Sequence, residues 1–381
     1  MERQEILLPK EPLRFGVNEL EYLLGFCSKL GVSDITIQSG EPIFIDLKGL
    51  LYKITKRRLT TTEVGDLLNA IYGPNGTTQL LSGTDVDTHY DFRPTRMERY
   101  RYRVNGTSCQ VEGHHGIQLT IRTIPSEPPT LASLNIPQEI ISAIAPQEGV
   151  VYITGATGSG KTTLLAAIIR EIAEQRDSNR KILTYEAPIE FVFDSISKPT
   201  SIVSQSEIPR DLPTFAAGVR NALRRKPRLI LVGEARDKDT IDAVIEAALT
   251  GHPVYTTLHT TGVAETIRRV VGNFQPEERH GRAIDIIETL RLIVWQKLVP
   301  TVDGKQVALR EFLVFSEKIR DKLLDSDIDH ITTATRKLLI EYGQPMIVDA
   351  KEKFAAGIID EHTYKILEAG TRYADRDAGL I

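Results

Sequence analysis

The sequence predicts an α/β protein in which a mostly parallel sheet follows a separate α+β region. Between residues 149 and 257, short and wholly apolar runs alternate with longer segments of helical periodicity. Strands apolar on both faces belong to a parallel sheet covered by helices on each side. Between residues 1 and 125 the runs are shorter, alternate in polarity and are separated by turn residues, the mark of a smaller mixed domain. Pro125, Pro128 and Pro129 lie close together where the two patterns meet. Proline keeps such a stretch out of helix and stiffens it. At 381 residues, and about 150 residues per domain, two or three domains are expected. We place the first at 1–124, a linker at 125–135 and the second at 136–381.

In the first region, Leu20, Leu23, Leu24, Cys27 and Leu30 recur at helical spacing, and Gly31 follows as a C′ residue. The predicted helix covers 18–30. Residues 34–38 alternate as a strand, and 42–47 and 50–54 flank Lys48-Gly49 as a hairpin. Thr60 and Glu63 have the spacing of a capping box, so a helix is predicted over 60–72. Strands are predicted over 86–92, 99–105 and 117–124.

In the second region, strands are predicted over 149–154, 181–185, 229–232 and 253–257, with helices over 161–175, 214–225 and 240–249. The last region, from about 311, carries helical patterns at 334–342 and 348–356.

Composition excludes several classes. Lys+Arg is 47 against 51 Asp+Glu, a formal charge of −4, so the chain is not a basic nucleic-acid coating protein. Hydrophobic residues are 41% and charged residues 26%, which excludes wholesale disorder. The two cysteines, Cys27 and Cys109, are too few and too far apart for a disulfide scaffold or a Cys-rich zinc module. The charged start Met1-Glu2-Arg3-Gln4-Glu5 has no apolar core behind it, so no secretory signal is expected. Gly251, Pro253 and several threonines break the one long uncharged stretch, 247–264, so no membrane span is expected. Any work at a membrane would follow recruitment.

The chemistry is announced by Gly155-Ala156-Thr157-Gly158-Ser159-Gly160-Lys161-Thr162. It fits G-x-x-x-x-G-K-[ST], with a strand before it and a helix after. Glycines let backbone N–H groups turn toward a β-phosphate. The helix N-terminus adds partial positive charge. Lys161 would reach the β- and γ-phosphates, and the Thr162 hydroxyl would hold Mg²⁺. We assign Gly155, Thr157, Gly158, Ser159, Gly160, Lys161, Thr162 and Thr163 to nucleotide binding. ATP is expected rather than GTP, because no Asn-Lys-x-Asp guanine-reading motif occurs.

Three further boxes follow in order: Ile182–Phe191 with Glu186 and Glu190, Arg228–Asp237 with Glu234, and Thr250–Thr261 with His259. Together with Arg101-Tyr102-Arg103-Val104-Asn105 and Arg122-Thr123-Ile124-Pro125 upstream, this series resembles the bacterial secretion and pilus-retraction ATPases of the PilT kind. Within that family it is most similar to ATPases of Dot/Icm-like type IVB secretion systems, with the conjugation ATPases of IncI-like plasmids next. The resemblance runs from about residue 18 to about 370. It implies a PAS-like N-terminal domain, a RecA-like P-loop NTPase domain and a homohexamer, with ATP between the domains and the linker as hinge.

The resemblance also implies roles. Glu186 would be the catalytic carboxylate, orienting and deprotonating the attacking water. Ala187 stands where many relatives have Asp, so the base role falls on Glu186, with Glu190 either second to it or a turn-stabilising ion pair. Glu234, at the end of a strand, would hold Mg²⁺ together with Thr162 and Glu186. His259 would sense the γ-phosphate, and His252 is either part of that box or a turn residue. Arg101 and Arg122 would reach across to nucleotide or to a neighbouring subunit; Arg103 and Arg99 could equally be strand-surface charge. Arg236 and Asp237 are open between a site role and a structural one. The basic run Arg224, Arg225, Lys226 and Arg228 departs from retraction-type relatives and reads as a solvated helix end or a partner-facing patch.

The expected function is therefore a hexameric ATPase powering substrate export through a type IVB system. It would act in the cytoplasm, recruited peripherally to the inner membrane by components of a secretion machine. Protein substrates would be engaged indirectly, and direct nucleic-acid binding is not expected. A conjugation ATPase and a slowly hydrolysing, nucleotide-gated scaffold are the alternatives.

Overall fold

The computed structural model describes residues 6–47, 49–95, 98–124 and 127–377, the side chains of 372–377 excepted. The chain forms two compact units, Met1–Glu127 with Pro188–Val192, and Pro128–Ala187 with Phe193–Ile381. Lys48 of the predicted hairpin and Pro125 of the linker lie outside the described residues.

The first unit has strands β1 (Asp34–Gln38), β2 (Phe44–Leu47), β3 (Leu50–Lys53), β4 (Val86–Phe92), β5 (Tyr100–Val111) and β6 (His114–Ile124). They form one sheet in the order β3-β2-β1-β6-β5-β4, antiparallel throughout. Helix Val17–Leu30 buries Leu20, Leu23, Leu24 and Cys27 of the stripe read from the sequence, while Leu30, at the helix end, is exposed. Helix Thr61–Tyr72 adds Val64, Leu67 and Leu68, and all join Ile35, Ile37, Val104, Leu119 and Ile121 in one core. Each such side chain contributes about 1.5–3 kcal/mol on burial.

The capping box forms as predicted. Thr60 Oγ1 accepts the Glu63 N–H at 3.2 Å, and Glu63 Oε2 accepts the Thr60 N–H at 3.1 Å. Glu63 also pairs with Arg57 at 2.7 Å and accepts the Phe15 N–H at 3.0 Å. Burial raises the Glu63 pKa, but the Arg57 guanidinium and the two N–H donors outweigh it and bring it down to about 2.

The second unit has β7 (Gly149–Thr154), β8 (Lys181–Glu186), β9 (Ile202–Glu207), β10 (Leu229–Val232), β11 (Pro253–Leu258), β12 (Leu290–Pro300) and β13 (Gln306–Val314). Their order is β13-β12-β7-β11-β10-β8-β9. All pairs are parallel except β12–β13. Every residue of β7, β10 and β11 is buried, the reason these runs are apolar without alternation. Helices Lys161–Glu174, Phe215–Leu223 and Lys238–Leu249 follow their strands as predicted.

Three differences have physical causes. Strands β5 and β6 are a long hairpin turning at Glu112-Gly113, both at positive φ; the polar residues around that turn hid its extent. Strand β9 is an edge strand of mixed polarity, Ile202-Val203-Ser204-Gln205-Ser206-Glu207, with no clean period. Residues 306–314 form β13 against β12, so the terminal helices begin only at Glu317.

Candidate functional site

The phosphate-cradle loop leaves β7 at Thr154 and enters the helix Lys161–Glu174 with Gly160 as N-cap. Gly155, Gly158 and Gly160 have φ of 144°, 75° and 83°. At Gly155 the requirement is doubled: an added Cβ would lie 2.3 Å from the Gln296 carbonyl oxygen and 2.6 Å from Ser159 Oγ. On Gly160 it would lie 2.8 Å from Gln296 Nε2. Lys161 is buried, and its Nζ donates to the carbonyls of Gly155 at 2.9 Å and Ala156 at 2.8 Å. The lysine is thus held over the loop it serves. Thr157 and Gly158 form the exposed crown of the loop, and Thr162 and Thr163 open the helix half-buried. Ser159 Oγ is buried, with no hydrogen-bond partner among the described residues. A buried hydroxyl left over in a loop of inward-turned backbone suits an anionic ligand.

Three other predicted residues end neighbouring parallel strands on the same edge. Glu186 closes β8, Glu234 lies two residues past the end of β10, and His259 follows β11 directly. In an open α/β sheet, the carboxyl ends of the strands are where ligands bind. Glu186 is buried; its Oε1 accepts Thr184 Oγ1 at 2.6 Å and Gln205 Nε2 at 3.1 Å. Gly233 holds the next strand close: its N–H donates to the Tyr185 carbonyl at 2.7 Å, and a Cβ there would meet the Glu186 backbone. Glu234 Oε1 lies 3.4 Å from His259 Nε2, and its Oε2 lies 3.9 Å from Arg236. Glu234 and His259 thus form a pair half open to solvent, while Glu186 is anchored in the wall. Among the described residues no cluster of three His, Cys, Asp or Glu could hold a metal alone. The predicted Mg²⁺ ligands, Thr162, Glu186 and Glu234, offer a hydroxyl and two carboxylates, the hard oxygen donors that this ion takes.

Other candidates are placed elsewhere. Arg101, in the first unit, is buried; its Nη1 donates to the Glu190 carbonyl and its Nη2 to the Ile189 carbonyl at 2.8 Å. The Glu190 backbone is thus held by the first unit, in which this short segment is counted. Arg122 pairs with Asp34 at 2.7 Å on its own sheet, and Arg103 with Asp87 and Arg99 with Asp91 likewise. Asp237 caps the helix Lys238–Leu249, accepting the Thr240 N–H at 2.9 Å, a structural role. His252 sits at the opposite end of β11 from His259, its ring beside the Ala247 carbonyl at 3.1 Å. The basic run closes the helix Phe215–Leu223. There Arg224 donates to the Arg220 carbonyl, as cations do at a helix C-terminus, while Arg228, just before β10, donates to the carbonyl of Asn179 in the loop before β8.

Sequence reasoning missed Thr184, Gln205 and Gln296. Thr184 was legible, two residues before Glu186 and on the same strand face. Gln205 and Gln296 carry no motif and come from β9 and β12.

The Type II/IV secretion system protein family matches residues 100–343. The type IV pilus retraction ATPase PilT of Pseudomonas aeruginosa is 33% identical over 316 residues, 83% of this chain and 88% of PilT. Among solved structures, the ATPase DotB of Legionella pneumophila is 64% identical, with a TM-score of 0.91 over 96% of this chain and 100% of that one. The pilus retraction motor PilT with bound ADP is 28% identical, with a TM-score of 0.80 over 93% of this chain and 97% of that one. These likenesses cover both units, so the sheet order described above is that of an α/β ATPase preceded by a PAS-like antiparallel domain. The chain belongs to the type II/IV secretion system protein family, among its PilT-like secretion ATPases.

Proposed function

We propose that this chain hydrolyses ATP to drive export through a type IVB, Dot/Icm-like secretion system, working as a homohexameric ring. The observation that carries it is the gathering of Lys161, Glu186, Glu234 and His259 on one edge of the sheet, in a chain 64% identical to DotB over 96% of its length. The loop from Gly155 to Thr163 would hold the phosphates, and bound Mg²⁺ would neutralise charge on the β- and γ-oxygens beside Thr162 and Glu234. Glu186, fixed by Thr184 and Gln205, would take the proton of a water attacking the γ-phosphorus. The bond from that phosphorus to the bridging oxygen breaks, giving ADP and inorganic phosphate. His259, facing Glu234, would report whether the γ-phosphate is present. Arg122, exposed in its pair with Asp34, would act across a subunit boundary, where an arginine is worth about 10³–10⁵ in rate, whereas Arg101, buried on the Ile189 and Glu190 carbonyls, would position that segment. We place the ring in the cytoplasm, recruited to the inner membrane by other machine components.

The test is light scattering with ATP, combined with complementation of a secretion strain lacking its own ATPase. A six-fold mass and restored export are expected. A monomer at every nucleotide state, with no complementation, would overturn the reading. Restored plasmid transfer without restored export would favour the conjugation ATPase instead.

A further inference from the structure

Gln296 lies on β12 one residue past Trp295, which registers with Thr154 at the mouth of the phosphate loop. Its Nε2 donates to the Ser159 carbonyl at 2.6 Å. Its Oε1 accepts Arg310 Nε, from the neighbouring strand β13, at 2.9 Å. A guanidinium donates and never accepts. Arg310 therefore fixes which way the Gln296 amide faces and leaves the NH₂ group for the loop. The other arms of Arg310 reach away from the loop. Its Nη2 donates to the Leu134 carbonyl at 3.1 Å and its Nη1 to that of Asn135 at 3.3 Å. Asp349 accepts the Arg310 backbone N–H at 2.7 Å and the Lys353 ammonium. Gln296 and Arg310 are each 3% exposed and Asp349 is 5% exposed.

A guanidinium this deep costs several kcal/mol of desolvation, and none of its donors ends on a carboxylate. A buried charge of this kind is poor support for stability. What it does supply is a continuous chain of directional bonds, from Ser159 through Gln296 and Arg310 to Leu134 and Asn135. Those two residues lie in the segment that opens the second unit at Pro128. Leu131 is buried beside them, and Pro128 is held by Arg170 at 2.6 Å.

We infer that Arg310 and Gln296 are positioning residues that couple the conformation of the phosphate loop to the entry segment 131–136 of the ATP-binding unit. Nucleotide filling the loop fixes the Ser159 carbonyl, which fixes the amide, the guanidinium and the two carbonyls in turn. In the other direction, movement of the entry segment withdraws the guanidinium and lets the loop relax. The inference rests on the nucleotide reading of the loop, and goes beyond it by giving the site a mechanical output.

The experiment is amide hydrogen exchange on the full chain with and without Mg·ADP, for wild type, Gln296→Leu, Arg310→Met and the double variant, alongside steady-state kinetics. In wild type, Mg·ADP should slow exchange both in the loop and at 131–136. In either single variant the loop should still be protected by Mg·ADP while 131–136 is not. The kcat should fall about 10- to 100-fold, with KM within about threefold, since binding contacts remain. The double variant should cost no more than the worse single one, as members of one chain do. Should Arg310→Met fail to fold, Gln296→Leu breaks the same chain at an uncharged residue. Undiminished protection of 131–136 in the variants, or additive losses, would overturn the inference. No protection of the loop by Mg·ADP in wild type would instead overturn the nucleotide reading, so the two failures are distinct.

Discussion

In the proposed reaction Glu186 would be the base; it is a buried carboxylate at a strand end, and two side chains fix its orientation. Replacing it with Gln keeps shape and hydrogen-bonding capacity but removes the base. Turnover should fall about 10²–10⁴-fold while ATP affinity, measured by anisotropy of a fluorescent analogue, stays near wild type. Equal loss of binding would remove Glu186 from the chemistry. Two other carboxylates have opposite consequences for stability. Glu63 is held down to about 2, below its unfolded value of 4.5, so its stabilisation is present above pH 4.5 and lost as pH falls toward 2. Glu311 is pushed up to about 7 by burial, against the Val263 and Met346 N–H groups, with Glu265 adding to the rise and Arg336 opposing it. Its stabilisation is therefore full below pH 4.5 and lost as pH rises through 7. Urea midpoints against pH should show an acid loss removed by Glu63→Gln and a loss between pH 4.5 and 7 removed by Glu311→Gln. Unchanged profiles in both variants would contradict these environments.

At the scale of elements, the loop and the caps set what each segment tolerates. Gly155→Ala forces a side chain into the Gln296 carbonyl at a φ of 144°, so nucleotide binding should vanish even though the change is one methyl. Normal ADP affinity in that variant would contradict the packing described. Thr60→Ala removes an N-cap and should lower unfolding free energy by about 1 kcal/mol with no change in the denaturant slope. The elements around these points were legible because each is local: a capping box three residues wide, a loop in one octapeptide, apolar strands with no polar break. Glu186, Glu234 and His259 were legible through the resemblance that names their boxes, and parallel topology is the reason these three strand ends share one edge. Gln296 and Arg310 were not. Their role depends on β12 lying beside β7 although 137 residues separate Gln296 from Ser159, and no local period encodes that adjacency. The same holds for Arg101, whose residue type was noted but whose partners, the carbonyls of 189 and 190, carry no side-chain signature.

At the scale of the molecule, the two units divide the labour. The antiparallel unit is built on a self-contained core and keeps most of its arginines in ion pairs of its own. The parallel unit concentrates lysine, carboxylates and histidine at one edge and its basic helix end at the other. Among the described residues no helix is long and apolar enough to cross a membrane. The segment from Pro128 to Asn135 is bonded into the parallel unit through Arg170 and Arg310. The central claim is that the edge carrying Lys161 is an ATP-hydrolysing site. Phosphate release from Mg·ATP by the purified chain, beside its Lys161→Ala variant, tests this most directly. Steady release by the wild type that the variant loses at equal protein is the predicted result; release that survives Lys161→Ala, or none from a folded wild type, would contradict it.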